Sequence, residues 1–369
     1  MAQPTSPHKQ VTMKMIAAHC GLHLATVSAA LRRDRRFVSE ATVARVHAAA
    51  EELGYDPAET QAARRLQARS FNTKVANQAV AVFLPHAFHA APFFWRLFYG
   101  LYTVLTEQDY AVTLVSTFSA HPPHEDRTDV PAIMRRGEMD GALVVAQPEG
   151  FAALLAGLRN AAGFGDRPLV ALVYEQPQCV NVLADEYRGG YAAMAHLLAL
   201  GHRHMLYYLE SSQPIATHAG SCRLQGFQQA MREHGLDPAQ HLHLAVYPYG
   251  ALREVIPDSL PAMLQMYPQV TAIIALNDYI AWHMVERLRG MGYRLPEDLS
   301  LIGFDDTHPM PDAQGTPWLT TVSLPLEEIG QAGARCLLAQ FQENDVPADQ
   351  PILFPTTLVV RQSTAPPRR

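Results

Sequence analysis

Arg223, Asn277 and Asp305 are the residues of this 369-residue chain best suited by type and position to hold a small molecule. Asp305 follows the apolar run LIGF, a strand end at which a carboxylate accepts from hydroxyls or amines. Its neighbour Asp306 is assigned to the turn. Asn277 follows another apolar run, TAIIAL, and its amide both donates and accepts. Arg223 stands where a helical pattern begins, a place where a positive charge opposes the helix dipole, so a ligand or an acidic partner would account for it. The plainer readings are a capped turn for Asp305, an Asx-turn for Asn277 and a solvated side chain for Arg223. Nothing here assembles a catalyst. Adjacent carboxylates cannot work as acid and base across a substrate, and the chain has no GxSxG, HExxH or Walker motif and no zinc spacing among its His and Cys. Neither an enzyme nor a cofactor or metal is expected.

A second set of candidate residues lies near the amino terminus and suits nucleic acid. Residues 12–31, TMKMIAAHCGLHLATVSAAL, read as two short helices across a tight break at Gly21. Thr12 caps the first, whose Met15, Ile16 and Ala18 share a face. The second, His23 to Leu31, turns Val27, Ala30 and Leu31 inward and leaves Thr26 and Ser28 outside. A third pattern, Glu40 to Leu53, carries Val43, Val46, Ala50 and Leu53 inward and is closed by Gly54. This is a helix-turn-helix, whose second helix enters a major groove. The loop RRDRRFV after that helix places Arg32 and Arg36 beside the groove, within reach of phosphate.

Charge supports a local nucleic-acid interface only. The formal net charge is -6, yet residues 1–74 carry eleven Lys and Arg against six Asp and Glu, while the remaining 295 carry eighteen against 29. A polyanion would be attracted by the first part and repelled by the second. The four cysteines include no CxxC and read as free thiols in a reducing compartment. Neither a secretory signal nor a membrane anchor is legible, which makes the cytoplasm the default location.

Residues 11–57, VTMKMIAAHCGLHLATVSAALRRDRRFVSEATVARVHAAAEELGYDP, closely resemble the DNA-binding head of the lactose-repressor family of bacterial transcription regulators. Val11, Thr12, Ile16, Ala17, Gly21, Thr26, Val27, Ser28, Leu31, Val38, Ser39, Thr42, Arg45, Val46, Leu53, Gly54, Tyr55 and Pro57 carry the match. The recognition helix departs from the family pattern. His23 stands where serine is usual, the two base-reading positions hold Leu24 and Ala25, and Ala29 replaces an arginine. Alanine lacks the donor fork that discriminates guanine, so the expectation is an operator read through apolar contact and shape. The resemblance also implies a hinge helix, here AETQAARRLQARS at 58–70, which pushes Leu66 into the minor groove with Arg64 and Arg65 near phosphates. This hinge is longer than the family's.

From Ala79 onward apolar runs alternate with amphipathic stretches, which predicts a parallel sheet covered on both faces. Expected helices include 127–136, Arg223 to His234 and Ser259 to Met266. Two successive series of this kind imply two lobes with ligands beyond the carboxyl ends of the strands. The resemblance continues over residues 79–362, through PFF at 92–94, DEYRGGYAAMAHLLALGHRHM, RLQGF, ALND and LPEDLSLIGFDD. It implies an all-α helix-turn-helix head joined to a two-lobed α/β periplasmic-binding-protein-like core. The expected division is a head at 11–57, a hinge and linker at 58–78 and a core at 79–362. Lobe 1 takes 79–182 and 316–345, and lobe 2 takes 186–312 and 348–362. The final segment, 363–369, reads as a mobile tail.

The resemblance strengthens effector contact for Arg223, Asn277 and Asp305, and adds Phe94 as an aromatic floor. Trp318, Trp282, His202 and His204 are assigned to packing or local hydrogen bonding. The expected protein is a homodimeric repressor of double-stranded operator DNA whose affinity is changed by a small molecule, a sugar by family precedent. The competing expectations are a cytoplasmic small-molecule-binding module without regulated DNA function, and a constitutive DNA-binding protein with a vestigial cleft.

Overall fold

The computed structural model describes residues 11–31, 38–55, 77–84, 92–117, 129–146, 148–210, 218–247, 252–308, 310–342 and 350–368. Arg32, Arg36, the hinge at 58–70 and its Arg64, Arg65 and Leu66 lie outside the described residues. The chain divides into two units, Met1–Asn77 and Gln78–Arg369.

In the first unit, α1 (Met13–Cys20), α2 (Leu24–Leu31) and α3 (Glu40–Glu52) enclose a small core of Ile16, Ala17, Val27, Ala30, Val46, Ala49, Ala50 and Tyr55. Gly21 ends α1 at φ 63, a left-handed backbone that glycine adopts without a Cβ penalty. Ser39 caps α3 by accepting from the Thr42 N–H. Two expectations need correction. Thr12 occupies the N-cap position of α1 with an extended backbone, but its side chain makes no capping bond. The buried face of α1 is Ile16 with Ala17, while Met15 and Ala18 are exposed. Because α1 packs against both α2 and α3, its inward face is centred between two adjacent residues.

The second unit is built on two six-stranded sheets. The strands are β1 (Ala79–Leu84), β2 (Ala111–Ser116), β3 (Gly141–Val144), β4 (Leu169–Leu172), β5 (Val180–Ala184), β6 (Met205–Glu210), β7 (Leu242–Tyr247), β8 (Ala272–Ile274), β9 (Ser300–Asp305), β10 (Thr320–Ser323), β11 (Ile352–Phe354) and β12 (Thr357–Val359). One sheet runs β11-β5-β4-β3-β1-β2, the other β12-β10-β9-β8-β6-β7. The same order therefore occurs twice, and every pairing is parallel except β10 with β12. Central strands such as β1 are buried at every position, as sheets covered on both faces require.

The lobe boundaries differ from expectation at two strands. Thr320–Ser323 pairs with β9 and so belongs to lobe 2, and Ile352–Phe354 pairs with β5 and so belongs to lobe 1. The later crossings fall between Ser323 and Leu326 and between Phe354 and Thr357. Pro325 and Pro355 sit at these points, where a residue without an N–H cannot extend either ladder. Short apolar strands read alike in either sheet, and only their hydrogen-bond partners separate them.

The helices of the second unit are α4 (Pro92–Glu107), α5 (Ala132–Arg135), α6 (Pro148–Asn160), α7 (Glu186–Leu200), α8 (His218–Glu233), α9 (Pro238–His241), α10 (Leu252–Met266), α11 (Asp278–Gly290) and α12 (Leu326–Phe341). The helix expected at 127–136 is one turn long, because Pro131 stands at its N-cap. The helix expected from Ser259 begins at Leu252 and runs on through Pro257 and Pro261. Among the described residues no helix is long and apolar enough to cross a membrane.

Residues 363–368 are not the mobile tail expected. Ser363 is fully buried, donating to the Leu301 carbonyl at 2.6 Å and accepting from the Thr320 N–H at 2.7 Å. The Ala365 carbonyl meets His202 Nε2 at 2.9 Å, and Arg368 pairs with Asp298 at 2.9 Å. Burial, opposed by the Ala365 bond, pushes the His202 imidazole down to about 4. The imidazole is therefore a neutral hydrogen-bonding wedge near neutral pH.

Two helix pairs approach through glycine. A Cβ on Gly100 of α4 would overlap the Glu327 carbonyl, and one on Gly330 of α12 would overlap that of Leu97. In lobe 2, a Cβ on Gly190 of α7 would meet the Arg223 carbonyl, and one on Gly226 of α8 that of Tyr187. Backbone cannot give way as a side-chain tip can. Gly100→Ala and Gly330→Ala should each lower stability by about 1–3 kcal/mol in thermal unfolding. Gly290→Ala, with nothing within 4 Å of the added Cβ, should stay within about 0.5 kcal/mol of the parent.

Candidate effector cleft and nucleic-acid interface

The close contact of α7 with α8 brings Glu186, the first residue of α7, against Arg223. Arg223 does not open its helix as expected: α8 begins at His218, which puts Arg223 in the second turn. The helix-start argument therefore fails, and the acidic partner it allowed for is present. Arg223 donates to both oxygens of Glu186, from Nε at 2.6 Å and Nη2 at 2.9 Å, and from Nη1 to the Leu276 carbonyl at 2.7 Å. The guanidinium lies 4.0 Å from the Phe304 ring centroid, a cation–π contact. Both residues of the pair are buried. Burial alone would lower the arginine pKa, but the Glu186 charge and hydrogen bonds outweigh it and the net shift is upward.

Asp305 completes this cluster, its Oδ1 3.8 Å from Arg223 Nη2. That is beyond hydrogen-bond reach, and among the described residues the carboxyl accepts no hydrogen bond. Burial pushes it up to about 8 against the lowering influence of Arg223, with Asp278 and Glu186 adding to the rise. Asp305 and Asp306 both have positive φ, 95 and 53. Two successive left-handed residues other than glycine cost on the order of 1–3 kcal/mol each, and such strain collects at ligand sites. The Asp306 carboxylate accepts from Arg361 Nη2 at 2.7 Å, and its backbone carbonyl accepts from Arg96 Nη1 at 3.4 Å. Arg96 is on α4, so the strained turn of lobe 2 is held in part from lobe 1.

Asn277 is the N-cap of α11, its Oδ1 accepting from the Ile280 N–H at 2.9 Å. The carbonyl end is thus committed to the helix, and the NH2 is the end left to meet a ligand. Asp278, fully buried beside it, accepts from Thr321 Oγ1 at 2.6 Å and the Thr307 N–H at 2.9 Å. Burial still lifts its carboxyl to about 7. Phe94 is half-buried, its ring edge-on to Phe93 at 5.0 Å, two residues before Arg96. The structure thus joins Arg223, Asp305 and the chain at Leu276–Asn277 in one cluster, and sets Phe94 on the helix that reaches Asp306.

Sequence reasoning missed Glu186, Asp278, Phe304, Arg96 and Gln176. Gln176, beyond the carboxyl end of β4, donates from Nε2 to the Ala146 carbonyl at 2.6 Å and keeps a buried Oε1 without a partner. The signal for Glu186 was present: an acid on the first turn of one helix and a buried-looking arginine without a partner in the next.

In the head, Thr12, Leu24 and Ala25 are exposed, and Thr26 and Ser28 half-buried. Ala29, at the position where arginine is usual, is buried. His23 takes over the role of the missing serine, its Nδ1 accepting from the Ala25 N–H at 3.3 Å. The unusual residue therefore supplies an N-cap for α2.

Residues 12–58 match the family of bacterial regulatory proteins named lacI, and residues 194–364 match the periplasmic binding protein-like domain. The chain is a lacI-family transcriptional regulator with an N-terminal helix-turn-helix. The family assignment makes it a regulatory protein, not an enzyme. Its relatives include the HTH-type transcriptional regulator DegA of Bacillus subtilis, 27% identical over 359 residues, 97% of this chain and 99% of that one. The HTH-type transcriptional repressor CytR of Escherichia coli K12 is 28% identical over 356 residues, 96% of each chain. A lacI-family regulator of Enterococcus faecium with bound ribose superposes at TM-score 0.62 with 25% identity, over 78% of this chain and 99% of that one.

The raised Asp305 pKa gives this regulator a sign for its pH response. Above the ordinary value of 3.8 the unfolded chain releases the proton while the folded chain holds it up to about 8, so stability falls as pH rises between the two. From about pH 6.5 to about pH 8 the wild type should lose about 1.5–2 kcal/mol more than Asp305→Asn in calorimetric unfolding.

Proposed function

We propose that this regulator is a homodimeric repressor that binds a pseudo-palindromic operator and changes its affinity when a small neutral molecule, a carbohydrate by chemical class, occupies the interlobe cleft. The observation that carries the proposal is one chain holding both an exposed recognition-helix face and a two-lobed body with a buried carboxyl at a strand end that accepts no hydrogen bond among the described residues. Its relatives agree with it, CytR being a repressor and the Enterococcus faecium protein holding ribose.

On the head, Thr12 meets phosphate, Leu24 and Ala25 touch base edges, and Thr26 and Ser28 flank them. Arg32 and Arg36 extend the phosphate contacts, and Arg64, Arg65 and Leu66 engage the minor groove from the hinge. In the body, Asp305, Asn277 and Phe94 contact the effector, while Arg223 orients Asp305. The division is a head at 11–57, a hinge at 58–78 and an effector and dimer body from 79 to 362. A cytoplasmic setting follows from operator binding.

Dimerisation is supported by α4, which exposes Trp95, Tyr99 and Tyr102 by 54%, 53% and 44% at helical spacing. Phe98 joins Trp95 to Tyr102 through ring contacts of 5.6 and 5.5 Å. The edge strand β2, which packs against α4, exposes Leu114 by 44%. An apolar face of this kind marks an interface. The alternative, a binding module without DNA function, leaves the capped recognition helix and the positive charge of residues 1–74 unexplained.

Selection from a random duplex pool should return a two-fold symmetric site whose binding weakens steeply with salt. Recovery of no sequence under any ligand condition would rule out the regulator. A combined Trp95→Ala and Tyr99→Ala variant should sediment as a monomer and lose at least about tenfold in affinity for that site, because paired half-sites need paired heads.

A further inference from the structure

We propose that Glu186 occupies Arg223 from within the protein, in the place an anionic group of a ligand would take, so that the cleft selects an effector that carries no carboxylate or phosphate at this end. The inference rests on reading the cluster as the effector site and narrows the chemistry of what enters it.

A guanidinium recognises a carboxylate or phosphate by offering two parallel N–H groups. In Arg223 that fork is spent: Nε and Nη2 both point at Glu186, at 2.6 and 2.9 Å. Nη1 is bonded to the Leu276 carbonyl at 2.7 Å, and the Phe304 ring covers a face of the group at 4.0 Å. The side chain of Arg223 is 8% exposed and that of Glu186 4%, so neither is a solvated surface charge that a ligand could displace cheaply.

Among the described residues the groups left over are neutral hydrogen-bonding groups rather than free cations. Asp305 is buried and its carboxyl accepts no hydrogen bond among the described residues, Gln176 of lobe 1 has a buried Oε1 without a partner, and the buried Tyr207 hydroxyl has none either. Asp305 is the last residue of β9 in one lobe, and Gln176 follows the carboxyl end of β4 in the other. A neutral polar ligand satisfies such atoms, whereas an added anion would meet the Glu186 carboxylate with Arg223 already paired to it. Glu186 is thus a specificity-determining residue, and Arg223 a positioning residue that holds Glu186, Leu276 and Phe304 around the site.

The test uses the full chain with sodium formate and inorganic phosphate as probes, each compared with sodium chloride at equal ionic strength by scanning calorimetry. The wild type should show no saturable stabilisation by either anion beyond that of chloride. Glu186→Ala should melt lower, because it leaves a buried unpaired guanidinium, and formate should restore the transition saturably where chloride does not. Adding Arg223→Met to Glu186→Ala should abolish that response. A saturable formate or phosphate shift in the wild type that disappears in Arg223→Lys would overturn the proposal, as would a folded Glu186→Ala indifferent to formate. Should Glu186→Ala not fold, the wild-type comparison decides alone. Neither operator nor effector enters the measurement, so a failure of DNA regulation leaves its outcome unaltered and the two readings stand or fall separately.

Discussion

The ion pair between Arg223 and Glu186 is the interaction on which the candidate site depends. Two charges taken out of water are stable only if each finds its counterpart and the remaining donors are used, and here the second oxygen of Glu186, the Leu276 carbonyl and the Phe304 ring meet that demand. The geometry exists because α7 and α8 touch backbone to backbone at Gly190 and Gly226. A bulkier residue at either position would separate the helices and strand a charge in the core. The same pair fixes the chain that leads from Leu276 into Asn277 and Asp278, and sets the charge that Asp305 faces at 3.8 Å. Conformation, charge and site geometry are therefore one problem in lobe 2, solved by two glycines and one carboxylate.

The turn after β9 carries this arrangement toward lobe 1. Asp305 faces inward to the buried pair while Asp306, also left-handed, is held by Arg361 through its carboxylate and by Arg96 of α4 through its carbonyl. Only differential contact with two states shifts a conformational equilibrium. A ligand drawing on Asp305 acts on a peptide segment whose next residue is gripped from the other lobe, and α4 also carries the exposed aromatic face. One turn thus touches the candidate cluster, the lobe contact and the helix with the exposed aromatic face.

Much of the fold was legible because each unit has a strong local period. The head showed itself through Ile16, Val27 and Val46 at helical spacing around Gly21, and the body through short apolar runs between amphipathic stretches. What sequence could not supply was partnership. Nothing in LTTVS or ILFP says which sheet pairs with it, and both strands were placed in the wrong lobe. Arg223 seemed to await a ligand because Glu186, 37 residues away, is brought to it only by helix packing. The tail, polar and proline-rich, resembled a loose end, yet Ser363 is buried in the second sheet. At His23 and Ala29 the departures from the family pattern looked like changes in base reading. The first is a helix cap and the second a buried methyl group.

The central claim is that a small molecule at Asp305 alters operator binding. Its most direct measurement is fluorescence anisotropy of a selected operator at fixed salt, titrated with a panel of neutral sugars, for the wild type and Asp305→Asn in parallel. The account expects at least one sugar to change the wild-type operator Kd by about tenfold or more, a coupling of about 1.4 kcal/mol, and the response to vanish in Asp305→Asn. An operator affinity indifferent to every sugar, or a response that survives intact in Asp305→Asn, would contradict it.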